Sequence, residues 1–313
     1  MVRSLVLGVN GQDGSYLAEE LLSRGDDVTG VGRQTVSRWV NPNRFRYVPL
    51  DIADYAALDD LLDTLRPERI YHLAASHGPA GHAYEALWRE ALAVNLGTLH
   101  VCLEHLRTRA PDARLFYPSS VKAFGDAPPR MITEESARVS SCLYGVTKNA
   151  AYDLVRYYRA RHDCWASVGI FFNHDSPRRP DNYFLPRLTA KLAAQRRCGD
   201  GPSVATLDFW CDWGDASEFM GLVADLMQAQ QPDDLVFATG RPLHAAALAD
   251  RLARAIGLSG REAAPAGPPP FRADISRMIC MLGRSPQRDG FDVAAWILRE
   301  RHGVDVSSRT EAA

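Results

Sequence analysis

The sequence predicts an α/β protein, a doubly wound parallel sheet followed by a smaller, mostly helical C-terminal unit. Three observations predict it. Through the first 173 residues, short apolar runs alternate with stretches carrying apolar residues at helical spacing, the pattern of repeated βαβ units. A glycine triplet stands between the first apolar run and the first helical stretch. After about residue 174 the chain turns proline-rich and polar, then helical.

In chain order, SLVLGV (4–9) is an apolar run too short for the core of a signal peptide, and it reads as a buried strand. SYLAEELLSRG (15–25) has helical spacing and closes on glycine. DVTGVG (27–32) and RFRYVPLD (44–51) are strands, and YAALDDLLDTLR (55–66) is a helix leading to the strand RIYHLAA (69–75). A long helix is expected over 85–110, a strand at ARLFYPSS (113–120), a helix at 143–162 and a sixth strand at ASVGIFFN (166–173). Beyond them lie helical patterns at 184–198, 215–230, 244–256 and 291–302, with LVFATG (235–240) placed to rejoin the sheet. AAPAGPPP (263–270) is a low-complexity connector.

With 313 residues, 46% of them hydrophobic, the chain can bury a large core. The 36 basic and 38 acidic side chains nearly cancel, to a net charge of -2, so no nucleic-acid or membrane-surface partner is expected. No segment approaches the roughly 18 uncharged apolar residues of a membrane span. Six cysteines lack C-x-x-C spacing, which points to free thiols in a reducing cytoplasm and to no metal site.

Gly8, Gly11 and Gly14 form G-x-x-G-x-x-G at a strand-to-helix turn. Such glycines let a pyrophosphate approach the free N–H groups of a helix N-terminus, so a Rossmann-type dinucleotide site is expected. The second strand runs out through VGRQTVSR, with Arg33 and Arg38 and no carboxylate. Arginine suits a 2′-phosphate, which favours NADP over NAD. The competing reading is a pair of solvated loop arginines. Asp51 is placed either to bind the adenine amino group or to cap a helix. Tyr144 and Lys148 are four apart and share a helix face, where an ammonium beside the positive nicotinamide would lower the phenol toward neutrality as a proton acceptor.

Downstream of a glycine-rich turn and a Ser119-Ser120 strand end, Y-x-x-x-K resembles the extended short-chain dehydrogenase/reductase family. Within it the chain is similar to the GDP-mannose 4,6-dehydratases over nearly its whole length. The matching strings are GVNGQDGSYLAEELL, LDIAD, YHLAA, VNLGT, YGVTKNAAY, FFNHDSPRRP, LDFWCDWGDASEFM and DISRMICMLGRSP. The resemblance implies an NAD(P)-binding Rossmann domain over 1–173 and a substrate-binding domain over 174–313, with 205–240 returning to the sheet. It implies that Gln12, Asp13, Ile52, Leu73, Ala74 and Ala75 line the cofactor with the glycines, Tyr144 and Lys148. By the same resemblance Ser120 bonds the reacting sugar oxygen, Tyr144 with Lys148 oxidises C4, Asn173 and Arg187 face a nucleotide sugar, and Asn95 supports the site. For Asn173 and Arg187 the residues alone also allow a strand-end turn and a surface helix position. A homodimer through 84–108 and 143–161 is expected, because the loop after Arg33 is shorter than in the tetrameric dehydratases.

The chain departs from this pattern in three places. Lys122 stands where the family carries the glutamate that moves the C5 proton. Cys211 replaces an arginine that approaches the substrate diphosphate, and Asp215 a histidine. GPPPFRAD (267–274), with Arg272, stands for a longer Arg-Pro segment. Three roles stay open for Lys122: a base whose pKa burial has lowered, an anion anchor, or a solvated side chain. The expected function is NAD(P)-dependent modification of a nucleotide-activated sugar, by transient C4 oxidation and then epimerisation or an atypical dehydration with Lys122 as acid/base. The alternatives are an NADPH-dependent reductase or dehydrogenase and a non-catalytic dinucleotide-binding regulator. Intact Ser120, Tyr144 and Lys148 argue against the regulator.

Overall fold

The structure is a computed structural model that describes residues 1–41, 43–78, 84–199, 204, 206–259 and 267–306. The first half runs β1 (Arg3–Leu7), α1 (Gln12–Ser23), β2 (Asp27–Gly32), β3 (Arg46–Pro49), α2 (Tyr55–Leu65), β4 (Arg69–His72), α3 (Trp88–Leu92), α4 (Thr98–Thr108) and β5 (Arg114–Ser120). It continues with β6 (Met131–Ile132), α5 (Leu143–His162), β7 (Trp165–Phe171) and β8 (Asn173–Asp175). The second half adds α6 (Phe184–Cys198), β9 (Trp210–Cys211), β10 (Trp213–Asp215), α7 (Ala216–Leu226), β11 (Leu235–Phe237) and β12 (Leu243–His244). Last come α8 (Ala245–Ala255), β13 (Arg272–Ala273), α9 (Ser276–Leu282) and α10 (Gly290–His302).

Seven strands form one parallel sheet in the order β11-β7-β5-β4-β1-β2-β3. The chain winds outward from β1 to β3, then crosses over to β4 and winds the other way. That reversal leaves a crevice at the C-terminal ends of β1 and β4, where open α/β sheets bind ligands. One face of the sheet is covered by α2, α4 and α5, through Leu58, Leu62, Leu103, Leu106 and Val155. The other is covered by α1, α7 and α9, through Leu17, Leu21, Phe219, Val223 and Met278. Each such side chain, fully buried, contributes about 1.5–3 kcal/mol. A separate core joins α6, α8 and α10 beside the sheet.

Several elements differ from the sequence expectation. The 85–110 stretch is not one regular helix, because a π turn, Ala93–Gly97, separates α3 from α4. The short helix α9 and the two- and three-residue strands β6, β8, β9, β10, β12 and β13 are too brief to show a period. LVFATG does supply the edge strand β11, parallel to β7. The connector at 263–270 lies in its first half outside the described residues. No helix among the described residues is long and apolar enough to cross a membrane. None of the six cysteines forms a disulfide with another among the described residues.

Candidate cofactor cleft and active site

The crevice at the switch point is a cleft of about 310 Å³ lined by Gly8, Gly11, Arg33, Asp51, Ile52, Leu73, Ala74 and Ala75, all named from sequence. Its glycines are there for close approach. Gly8 has φ +90°, and a Cβ on it would lie 2.7 Å from the Ala74 nitrogen, while a Cβ on Gly14 would lie 2.3 Å from the Gly8 carbonyl oxygen. Strand end and helix start therefore meet backbone to backbone. Gly11 is the N-cap of α1, and no side chain caps the helix, so its first N–H groups and positive dipole end are left for an anion. This cradle fits a dinucleotide pyrophosphate. The Asp51 side chain is exposed and accepts from the nearby Ala53 N–H, whereas Asp54 caps α2. Its competing helix-cap role is thereby removed. Arg33 reaches Glu90 across the rim, at 3.6 Å.

Gln12 and Asp13, absent from the cleft lining, face the second half of the chain. Asp13 Oδ2 lies 3.0 Å from His174 Nε2, and His174 Nδ1 lies 2.8 Å from the Phe172 carbonyl. Both ring nitrogens thus meet acceptors, as in an imidazolium. Burial alone would raise Asp13, but the charge and hydrogen bond of His174 outweigh it and hold the carboxyl at about 2. His174 is pushed up in spite of its burial, by the Asp13 charge and hydrogen bond. Ser176 donates to Gln12 at 2.8 Å, and Arg178 pairs with Glu19 at 2.8 Å. The irregular string NHDSPRR is therefore a clamp along α1.

At the other end of the crevice, α5 sets Tyr144 and Lys148 against β5. Cys142 caps the helix, and a Cβ on Gly145 would lie 2.6 Å from the Lys122 carbonyl oxygen, which fixes how closely the first turn approaches the β5 terminus. Lys148 is 1% exposed and donates to the Pro118 carbonyl at 2.8 Å and to the Tyr117 hydroxyl at 3.1 Å. Burial pushes its ammonium down to about 7. Burial likewise pushes the Tyr144 phenol up. That reverses the fall expected from a neighbouring ammonium, since desolvation dominates and Lys148 itself sits near neutrality.

Tyr117 passes the chain of bonds on, its hydroxyl donating to the Asn95 carbonyl at 2.8 Å. Asn95 belongs to the π turn, whose i→i+5 pairing changes which carbonyls stay free for such a partner. Its side chain accepts from the Ser76 N–H at 2.9 Å and donates to the Ser76 carbonyl at 3.3 Å and to Thr147 Oγ1 at 3.1 Å. Thr147 in turn donates to the Tyr144 carbonyl at 2.8 Å. One buried amide thus registers the loop after β4 against the tyrosine.

Ser120 ends β5 and accepts from the Lys122 N–H at 3.2 Å. Lys122 is exposed, so the reading of it as a buried base does not hold. Its ammonium makes no hydrogen bond or ion pair among the described residues, and it lies near enough to the buried Cys211 to act on that thiol electrostatically. Asn173 and Arg187 are both exposed, at the start of β8 and in the first turn of α6. Asp215 is fully buried as the N-cap of α7 and pairs with Arg288 at 2.7 Å. Arg272 lies on β13, paired in register with Met131.

Sequence reasoning left out Asn10, which holds the loop after β2 through Gln34, Val36, Tyr47 and the Arg38 N–H. Its place inside the glycine turn was the available signal. Ser76, Tyr117 and His174 were also missed, because their partners are remote in sequence. Among the described residues no cluster of three metal-ligating side chains occurs.

A family model described as GDP-mannose 4,6 dehydratase matches residues 5–264. GDP-mannose 4,6-dehydratase of Yersinia enterocolitica is 31% identical over 262 residues, covering 78% of this chain and 69% of its own length. GDP-mannose 4,6 dehydratase 2 of Caenorhabditis elegans is 31% identical over 260 residues, covering 76% and 66%. The chain thus spans about two thirds of the length of these relatives. The structure of UDP-glucose 4-epimerase from Brucella ovis in complex with NAD superposes with a TM-score of 0.79 at 20% identity, covering 98% of this chain and 100% of that one.

Proposed function

The chain belongs to the GDP-mannose 4,6-dehydratase family, and on that premise we propose that it modifies a nucleotide-activated sugar by transient oxidation at C4 followed by epimerisation or an atypical dehydration. Residues 1–173 hold the nicotinamide dinucleotide and 174–313 the substrate. A bound nicotinamide supplies a reversible hydride acceptor and a positive charge beside the Tyr144 phenol. The chain supplies the rest: Ser120 orients the sugar hydroxyl, Tyr144, ionised to the phenolate that this positive charge would favour, takes its proton, and Lys148 with Tyr117 and the Asn95 carbonyl holds the tyrosine's surroundings. The observation that carries this reading is the chain of bonds Lys148–Tyr117–Asn95, set at the reacting end of a glycine-cradled cleft.

Arg33 at the cleft rim, with no carboxylate at the end of β2, supports NADP over NAD. Exposed Lys122 near Cys211 supports a role in binding the substrate diphosphate where the family has a guanidinium. A cytoplasmic homodimer completes the reading. Its support is an open apolar hollow of about 690 Å³ on the α3–α4–α5 face, lined by Tyr55, Leu92, Leu96, Ala150 and Leu154 among others.

The test is turnover of GDP-mannose by protein loaded with NADP. Tyr144→Phe should lose at least about 100-fold in rate, while full activity in that variant would end the proposal. A second reading, net reduction by NADPH, is favoured by the lack of a carboxylate at position 122. It requires stoichiometric loss of nicotinamide absorbance during turnover, which the redox-neutral reading forbids.

A further inference from the structure

With Lys122 exposed, the turn after β5 offers no enclosed group for the proton transfer that the second half of the reaction needs. A different residue meets the requirements. The cofactor cleft runs past Ala74 and Ala75 to Ser76, and the next residue, His77, lays its ring against Tyr144 with centroids 4.6 Å apart. His77 Nδ1 is hydrogen-bonded to the Tyr183 hydroxyl at 2.9 Å, and the Arg179 guanidinium sits 3.7 Å over the Tyr183 ring. His77 is exposed, and its Nε2 makes no hydrogen bond among the described residues.

We propose that His77 is the acid/base of this enzyme's second half-reaction, taking the proton from the sugar carbon beside the C4 ketone. This rests on the C4-oxidation reading above. With Nδ1–H donating to the Tyr183 oxygen, Nε2 presents a lone pair. That lone pair accepts the carbon-bound proton, the C–H electron pair becomes the enolate double bond, and the carbonyl π pair moves to O4. The proton then exchanges with solvent and returns to carbon, or it passes to a departing C6 hydroxyl, which leaves as water. No outside oxidant or reductant enters.

The placement is a built one. Asn95 grips both backbone groups of Ser76 and, through Thr147, the first turn of α5, so a single buried side chain sets His77 and Tyr144 in register. Although part of the residue is open to solvent, desolvation of the ring packed against Tyr144 and Tyr183, then the cations Arg179, Lys148 and His174, hold the His77 imidazole below its ordinary range, with Asp13 acting the other way. The ring is therefore neutral at neutral pH, with the Nε2 lone pair free to accept a proton.

The test uses protein loaded with NADP, given GDP-mannose in heavy water. His77→Gln should still bind GDP-mannose by calorimetry and still develop reduced-nicotinamide absorbance. Its incorporation of deuterium beside C4 should fall at least about 100-fold. Wild-type incorporation by His77→Gln, or loss confined to Lys122→Ala, overturns the proposal. Proton–nitrogen NMR of the wild-type protein provides a second measurement that needs no turnover: an Nδ1–H tautomer supports the assignment and an Nε2–H tautomer overturns it. If the wild type itself shows no reduced nicotinamide, the C4-oxidation reading is what has failed, and the tautomer alone decides His77.

Discussion

Lys148 illustrates how a single side chain carries both function and cost. Its ammonium is buried with two neutral oxygen partners, so the charged form is penalised and the group falls from 10.5 to about 7. A cation depressed on folding binds fewer protons than the unfolded chain between those two values, so stability rises with pH across that window. Comparing thermal unfolding of Lys148→Met and wild type from pH 6 to 10.5, the difference should shift in favour of wild type by about 1.4 kcal/mol per unit of the window. A constant difference would contradict the depressed value. In the pair Asp13–His174 the charged forms are favoured instead. Asp13, lowered from 3.8 to about 2, stabilises above 3.8 and loses that effect as pH falls toward 2. His174, raised above 6.5, stabilises below 6.5 and loses the effect as pH climbs through its raised value. Asp13→Asn should therefore cost most between about pH 4 and 6.5, about 1.5–3 kcal/mol for a charged hydrogen bond, and urea melts at pH 5 and 9 measure the contrast. Of these residues Tyr144 and Lys148 were legible from motif spacing, and Asp13 was named only through the family resemblance, as a cofactor residue. His174 and Tyr117 were not, since their partners lie 161 and 31 residues away.

At the scale of elements, the turn from β1 into α1 builds the glycine cradle and α5 places Tyr144 and Lys148 against β5. The glycine positions are demanded by contact: a methyl at Gly14 would overlap the Gly8 carbonyl, held 3.0 Å from the Gly11 N–H. Gly14→Ala should push α1 off the strand end, destabilise the protein by about 1–3 kcal/mol and weaken nicotinamide dinucleotide binding at least tenfold, readable by fluorescence titration of the reduced dinucleotide. Unchanged affinity would show that the turn tolerates separation. The π turn is the counterexample to reading elements from periodicity. Across 85–110 the apolar spacing is helical throughout, yet the backbone shifts register at Ala93–Gly97. Tertiary partners, Tyr117 on the Asn95 carbonyl and Ser76 on its side chain, compensate the lost α-helical bonds, and neither is visible in local pattern.

For the whole molecule, winding order fixes the crevice, and the clamp of NHDSPRR along α1 ties the second half to the cofactor turn. The exposed face of α3, α4 and α5 remains as an apolar hollow, which a second copy would bury. Leu154→Asp should convert a dimer to monomers in light scattering, whereas an unchanged mass, or a monomeric wild type, would rule that assembly out. By itself the sequence determined the sheet, the glycine cradle and the Tyr144–Lys148 pair, because each rests on local spacing: apolar period, backbone freedom, one helix face. Only the tertiary structure decided that Lys122 faces solvent, that Asp215 caps a helix and that His77 lies on Tyr144. Exposure and proximity between distant segments follow from packing, and packing is a property of the folded chain that no short window contains.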